Sequence, residues 1–253
     1  MIVIPMAGIS RRFSEAGYKL PKYMLPAHGQ TVFAHAVNSF KYYYQKEPFL
    51  FIVRDVADTP AFVRAECDAL GIREAHIAVL NSPTSGQAET VEVGLQQAAV
   101  SPALPITIFN IDTFRPGFRH ADFGGRNTSG YLEVFRGSGD NWSYVRPAGP
   151  GSNKVIETTE KNPISDLCCT GLYHFGSAEI FRGAYEAFYR DFVPSSSLKE
   201  RYIAPMYNAL IQRGALIRYQ TVGASEVIFC GIPAEYEAFC TGPEAPSSSI
   251  VPL

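Results

Sequence analysis

A mainly parallel α/β fold is what this chain predicts, on two observations. Short apolar runs recur through residues 1–113 with helical stretches between them, and strand–helix alternation at that spacing builds βαβ units. Polar clusters stand just after residue 5, just after residue 80 and at residues 110–112. Sheets of this kind bind ligands beyond the carboxyl ends of their strands, so the clusters mark one crevice.

Taken in order, residues 2–5 (IVIP) are short, apolar and followed by a small-residue turn, which predicts a buried strand. "TVFAHAVNSF" (31–40) carries apolar residues at helical spacing, with Thr31 as N-cap. "PFLFIVR" (48–54) is the next strand, and residues 58–70 form a helix stopped by Gly71. "HIAVL" (76–80) is a third strand, "GQAETVEVGLQQAA" (86–99) a helix, and "PITIFNID" (105–112) a fourth strand ending on an acid. After residue 113 the pattern turns to alternating β-branched and aromatic residues at 129–135, 142–147, 153–161 and 170–175, which adds strands and makes the sheet mixed. Helices follow at 177–191 and 198–213, then a last strand, a turn and a closing helix within 226–239. Residues 1–240 read as one domain, with 1–113 and 114–240 as its two halves, and the Pro/Ser-rich 241–253 as a flexible tail.

Charge narrows the partner. The chain carries 22 basic and 24 acidic groups, with no basic field of the kind that holds nucleic acid or an anionic membrane. Positive charge in the opening stretch is local and suits a small anion. The five cysteines lack CxxC spacing, which argues against a zinc site or disulfide framework and for a reducing compartment. With no signal-like leader and no membrane-spanning run, the expectation is a cytoplasmic protein.

The opening stretch, "MIVIPMAGISRRFSEAGYKLPKYMLP", sets small residues (Ala7, Gly8, Ser10) at the end of a strand, then Arg12 and Lys22. Small residues let backbone N–H groups approach phosphate oxygens, and the cations neutralise charge that develops in phosphoryl transfer. The loop alone equally fits a tight βα turn beside solvated charges. Gln87 offers both a donor and an acceptor to a base edge, or simply starts a helix. Asp112 ends an apolar strand, where a carboxylate has no packing purpose, unless it is a turn or cap. Glu160 and Lys161, by themselves, read as a surface pair at a loop. Cys168 and Cys169 read as small buried residues.

The order of these stretches resembles the sugar-phosphate nucleotidylyltransferases. "PMAGISRRF" followed by "PKYMLPAHGQTVFAHAV" is similar to that family's signature, a small-residue loop ending in Arg and then Lys-x-x-Leu-Pro before a helix. Ser10 stands where many members have a second glycine, a variant familiar in the wider superfamily. "TSGQAETVEVGL" resembles the base-recognition segment, "FNIDTF" the metal-binding strand end, and "TTEKNPISDLCCTGLYHF" the acceptor region. The resemblance implies a Rossmann-like fold of the glycosyltransferase-A type. It implies that Arg12 and Lys22 contact nucleotide phosphates and that Gln87, with Gly86 and Thr90, receives the base. It further implies Mg²⁺ on Asp112, with Glu160, Lys161, Thr170 and Gly171 around a phosphorylated acceptor. The implied reaction is transfer of a nucleoside monophosphate from an NTP to that acceptor, a sugar 1-phosphate. The whole sequence also resembles nucleotidyltransferases encoded with bacterial capsule or surface-polysaccharide genes.

One departure is plain. Members carry a second metal-binding acid in Asp-x-Gly-Thr-Pro before a helix, but here Phe229 has the acid's place and Ile232 the threonine's. Glu226 lies upstream and reaches the site only if the strand shifts. A non-catalytic nucleotide-binding protein therefore stands as one alternative; an NDP-sugar-dependent glycosyltransferase, which shares the fold but usually carries a DxD-type pair where "NID" offers one acid, stands as another.

Overall fold

The structure is a computed structural model describing residues 1–124, 128–190, 194 and 199–243. Strand β1 (Ile2–Pro5) leads to helix α1 (Arg11–Glu15), a small ribbon of β2 (Pro26–Ala27) and β3 (Gln30–Thr31), and helix α2 (Val32–Asn38). Next come β4 (Phe49–Arg54), α3 (Thr59–Leu70), β5 (Ala75–Leu80), α4 (Gln87–Gln97) and β6 (Ile106–Ile108). The second half supplies β7 (Thr113–Phe114), β8 (Gly130–Arg136), β9 (Ser143–Pro147), β10 (Val155–Glu160), β11 (Leu167–Phe175), α5 (Ala178–Tyr189) and α6 (Tyr207–Gln212). It closes with β12 (Ile217–Val222), β13 (Ile228–Phe229) and α7 (Pro233–Thr241).

The main sheet runs β10-β9-β11-β6-β1-β4-β5, with β8 paired to β11 and β12 to β8. Strands β6, β1, β4 and β5 are parallel. Strand β11 enters antiparallel against β6 and β8 and joins the two halves. The expected mixed, mostly parallel sheet flanked by helices is what forms. Its central strands are almost wholly apolar, with Thr107 buried in β6 and Arg54 closing β4, because both faces are covered. Val3, Leu50 and Ile52 pack into one core, while Ile2, Ile4, Phe49, Phe51 and Val53 pack into the other, and all are fully buried.

Local signals hold where they are chemical. The Thr31 hydroxyl accepts from the Ala34 amide at 3.0 Å to cap α2, and Gly71 ends α3 at φ 72°. Two expectations need correction. Strand β6 stops at Ile108, and Asp112 lies beyond it in the turn before β7. Ile108 is held on both sides, by Val3 and Tyr173, and the chain then leaves the sheet with Phe109 and Ile111 buried in the aromatic core. The helix expected over 198–213 shrinks to a 3₁₀ turn at Ala204–Met206 and the short α6. Pro205 disfavours helix upstream of it, and Arg201 instead makes backbone bonds to Ser85 and Ala88. Leu198 of that expectation, Asp191 of the preceding helix and 244–253 of the expected tail lie outside the described residues. Thr241, the first residue assigned to the tail, still belongs to α7.

Candidate active site

A single cleft of about 1210 Å³ opens where the parallel strands end, lined by every site residue singled out in the sequence. Its floor is the loop after β1, the turn after β6, the N-terminus of α4, the bulge in β11 and the segment leading into α7.

The loop after β1 leaves the sheet through a bond from the Met6 amide to the Ile52 carbonyl at 2.8 Å. Ser10 is left-handed at φ 50°, and its hydroxyl accepts from the Lys22 amide at 3.3 Å. That bond fixes the Lys22 backbone to the loop, after Pro21 has set the approach. The Lys22 ammonium then forms an ion pair with the Asp112 carboxylate, both groups about one-fifth exposed in the cleft. Arg12 is exposed on α1 at the cleft edge.

Opposite this loop, α4 begins at a crowded point. A Cβ on Gly86 would lie 2.5 Å from the Arg201 backbone nitrogen. That contact and φ +142° both require glycine. The Arg201 amide donates to the Ser85 carbonyl and the Ala88 amide to the Arg201 carbonyl, each at 2.8 Å. The Thr90 hydroxyl is spent on the Gly86 carbonyl at 3.1 Å and on Thr84 at 2.6 Å, so Thr90 builds the turn. The Gln87 side-chain amide donates to the Asn110 side-chain oxygen at 2.6 Å.

The other end of the cleft is built by β9, β10 and β11. Glu160 pairs with Ser143 across β10 and β9, and the Ser143 hydroxyl donates to its carboxylate. Burial pushes the Glu160 carboxyl above its usual range, against the lowering effects of Ser143 and Lys161. Lys161 is left-handed at φ 54°, and its ammonium reaches the Tyr202 hydroxyl at 3.0 Å. That hydrogen bond raises the Lys161 pKa, keeping the cation charged. Thr170 is buried at the cleft wall and gives its hydroxyl to Glu133 at 3.2 Å. Glu133 is in turn held by Arg115. Cys168 and Cys169 are buried, free thiols, as expected. Burial raises both thiols, Cys169 well above its ordinary value, which suits packing rather than reactivity.

The comparison that decides the family is with the nucleoside-diphosphate-sugar pyrophosphorylase from Vibrio cholerae RC9. That structure is 53% identical, covers 96% of this chain and 100% of its own, and superposes with a TM-score of 0.90. The chain belongs to the sugar-phosphate nucleotidyltransferases. More remote structures share the fold. An inositol-1-phosphate CTP transferase from T. maritima is 13% identical, covers 94% of this chain and 96% of its own, and has a TM-score of 0.71. A UDP-glucose pyrophosphorylase complexed with UDP-glucose is 14% identical, covers 94% of this chain and 96% of its own, and has a TM-score of 0.70. No protein-family model matches the chain, and no curated protein does.

Within this nucleotidyltransferase the position of the second acid can now be followed. Phe229 sits at the cleft with its ring 4.6 Å from that of Trp142. Glu226 does not reach in: its carboxylate contacts Arg115 at 3.4 Å and the Gly223 amide at 2.7 Å. A different carboxylate does line the cleft. Glu235, in the first turn of α7, folds back to accept from the amides of Gly231 at 2.8 Å and Ile232 at 3.3 Å. A Cβ on Gly231 would lie 3.1 Å from Asp112 Oδ2 and 3.6 Å from Glu235 Oε2, so the two carboxylates flank one glycine. Among the described residues no three His, Cys, Asp or Glu side chains converge on a metal position. Two carboxylates suit a hard cation that takes its remaining ligands from phosphate oxygens and water, as Mg²⁺ does. The donor set therefore fits Mg²⁺. Glu235, Asn110, Trp142 and Tyr202 were not singled out from the sequence: Glu235 joins the cleft through its fold-back onto the Gly231 and Ile232 amides, and the other three from turns and loops around it.

Proposed function

We propose that the protein transfers a nucleoside monophosphate from an NTP to a sugar 1-phosphate and releases pyrophosphate. The observation that carries this reading is the Lys22–Asp112 ion pair in the cleft floor, between a small-residue loop on one side and the Glu160–Lys161 pair on the other. The triphosphate lies over residues 7–12, its charge met by Arg12 and Lys22, and the base enters beside Gln87 and Gly86. The sugar hydroxyls meet Glu160, the acceptor phosphate meets Lys161, and Gly171 lines the pocket between them. Asp112 and Glu235 would hold Mg²⁺, which supplies charge neutralisation at the phosphates when bound.

An acceptor phosphate is anionic at neutral pH, so no side chain need remove a proton from it. The chain's part is alignment and electrostatic stabilisation. Lys22 changes partner as substrate enters, from the Asp112 carboxylate to a phosphate oxygen, and this frees the carboxylate for a cation. The Lys161–Tyr202 contact holds the second cation where an acceptor phosphate would arrive. We place the protein in the cytoplasm, as a single unit over residues 1–240, making activated sugars for surface or capsular polysaccharide. Among the described residues, no helix is long and apolar enough to cross a membrane.

Thermal stabilisation by each NTP, with and without Mg²⁺, tests the site. A ligand at about 100 times its Kd adds about 2.7 kcal/mol to the folded state. One NTP should stabilise the wild type with a Mg²⁺ increment that Asp112→Ala abolishes. An increment that survives Asp112→Ala would remove Asp112 from the cation site.

A further inference from the structure

Strand β11 carries a bulge between Cys169 and Tyr173, where its register against β8 shifts. Gly171 lies within it, left-handed at φ +95°. A Cβ there would stand 2.3 Å from the Asn110 Nδ2 and 2.7 Å from its Cγ, inside any permitted contact. The bulge therefore leaves room for one side chain, Asn110. Asn110 in turn uses its Oδ1 to accept from the Gln87 Nε2 at 2.6 Å. All three residues line the cleft. The contact has a chemical consequence. A free carboxamide turns over, exchanging its donor and acceptor ends. Donation to Asn110 ties the orientation of the Gln87 carboxamide to that of Asn110, whose amide end lies against Gly171.

That restriction matters for pyrimidines. Uracil and thymine present an N–H at ring position N3 beside the carbonyl O4, while cytosine presents a bare N3 beside an amino group at N4. The two edges are donor–acceptor complements. A carboxamide that turns over reads both; one that is held reads only one of them. We infer that Asn110 is the positioning residue that sets base specificity, by holding the Gln87 carboxamide in one orientation, and that Gly171 is glycine to admit it. This inference rests on Gln87 being the base-reading residue proposed above.

The test is the affinity of UTP, dTTP and CTP with Mg²⁺, measured by titration calorimetry without acceptor. Wild type, Gln87→Ala, Asn110→Leu and Asn110→Asp are compared, with Asn110→Ala in place of Asn110→Leu should the latter not fold. Wild type should separate UTP and dTTP from CTP by at least about tenfold, since a mismatched edge leaves a buried polar group unpaired. Asn110→Leu removes the acceptor, so this ratio should fall toward one while the better and the worse nucleotide still bind through their phosphates. Asn110→Asp keeps an acceptor oxygen and should keep the ratio, even if its charge weakens all three nucleotides. A structural role alone would weaken every nucleotide alike and leave the ratio in place. A wild type that does not separate the two pyrimidine edges overturns the inference. A ratio lost in Gln87→Ala but kept in Asn110→Leu overturns it while leaving Gln87 as reader. A ratio kept in Gln87→Ala removes Gln87 from base reading, and this inference with it.

Discussion

Glu235 has two tasks that one substitution separates. Its carboxylate caps the first turn of α7 through the Gly231 and Ile232 amides, and its charge faces Asp112 across Gly231. Glu235→Gln keeps an oxygen for the amides and removes the charge. It should melt within about a degree of the wild type, since replacing a cap by a neutral acceptor costs little, while losing much of the Mg²⁺ increment in NTP stabilisation. Glu235→Ala should lose that increment and also about 1 kcal/mol of stability. Equal Mg²⁺ increments in Glu235→Gln and wild type would leave Glu235 a cap and nothing more. The sequence shows this glutamate only as part of a helix. What makes it a site residue is a fold-back over Gly231, which pattern and spacing do not express. Lys22 and Asp112 were legible because a lysine between prolines and an acid after an apolar run have no packing reason to be there.

The N-terminus of α4 is locked from outside the helix. Gly86 touches the Arg201 backbone, and two backbone bonds join residues 85–88 to that segment. The α4 side of the cleft is therefore braced by chain from the second half. Gly86→Ala would bring a Cβ against backbone that cannot swing away, in a conformation that side chains avoid. We expect a loss of about 2–3 kcal/mol by thermal or denaturant unfolding, with weaker binding of every NTP. An unchanged melting temperature would mean that the two segments part readily. The helices and inner strands were legible because caps, Gly71 and unbroken apolar runs act locally. The early end of β6 and the loss of the helix at 199–203 were not. Both are settled by which strand or loop the backbone finds as a partner.

Across the whole molecule, the end of the sheet away from the cleft holds a separate polar cluster. His174 bonds Thr107 at 2.9 Å and stacks on Tyr131 with ring centres 4.7 Å apart. Burial is the first cause that lowers its pKa, to about 3 from 6.5, with nearby His120 adding to it. The folded chain thus takes up this proton less readily than the unfolded chain. The stability this neutral histidine contributes is full above pH 6.5 and is lost as the pH falls toward 3. The melting temperature should decline through that window, and His174→Gln should flatten the decline. An equal slope in both proteins would place the acid sensitivity elsewhere. Sequence pattern revealed the fold class and the stretches around Lys22, Gln87, Asp112 and Glu160 that line the cleft, because strand ends collect at one edge of a parallel sheet. It was silent on this cluster, whose members are brought together by the pairing of β11 with β6 on one side and β8 on the other.

The most direct test of the central claim is acceptor-dependent pyrophosphate release. The protein would be incubated with each NTP, Mg²⁺ and a panel of sugar 1-phosphates, with Lys22→Ala alongside. The account predicts pyrophosphate and a nucleoside-diphosphate sugar in equal amounts for one pairing, and a rate about 10²–10³-fold lower in Lys22→Ala, the scale for loss of a charge-stabilising group. No pyrophosphate with any pairing, or undiminished turnover in Lys22→Ala, would contradict it.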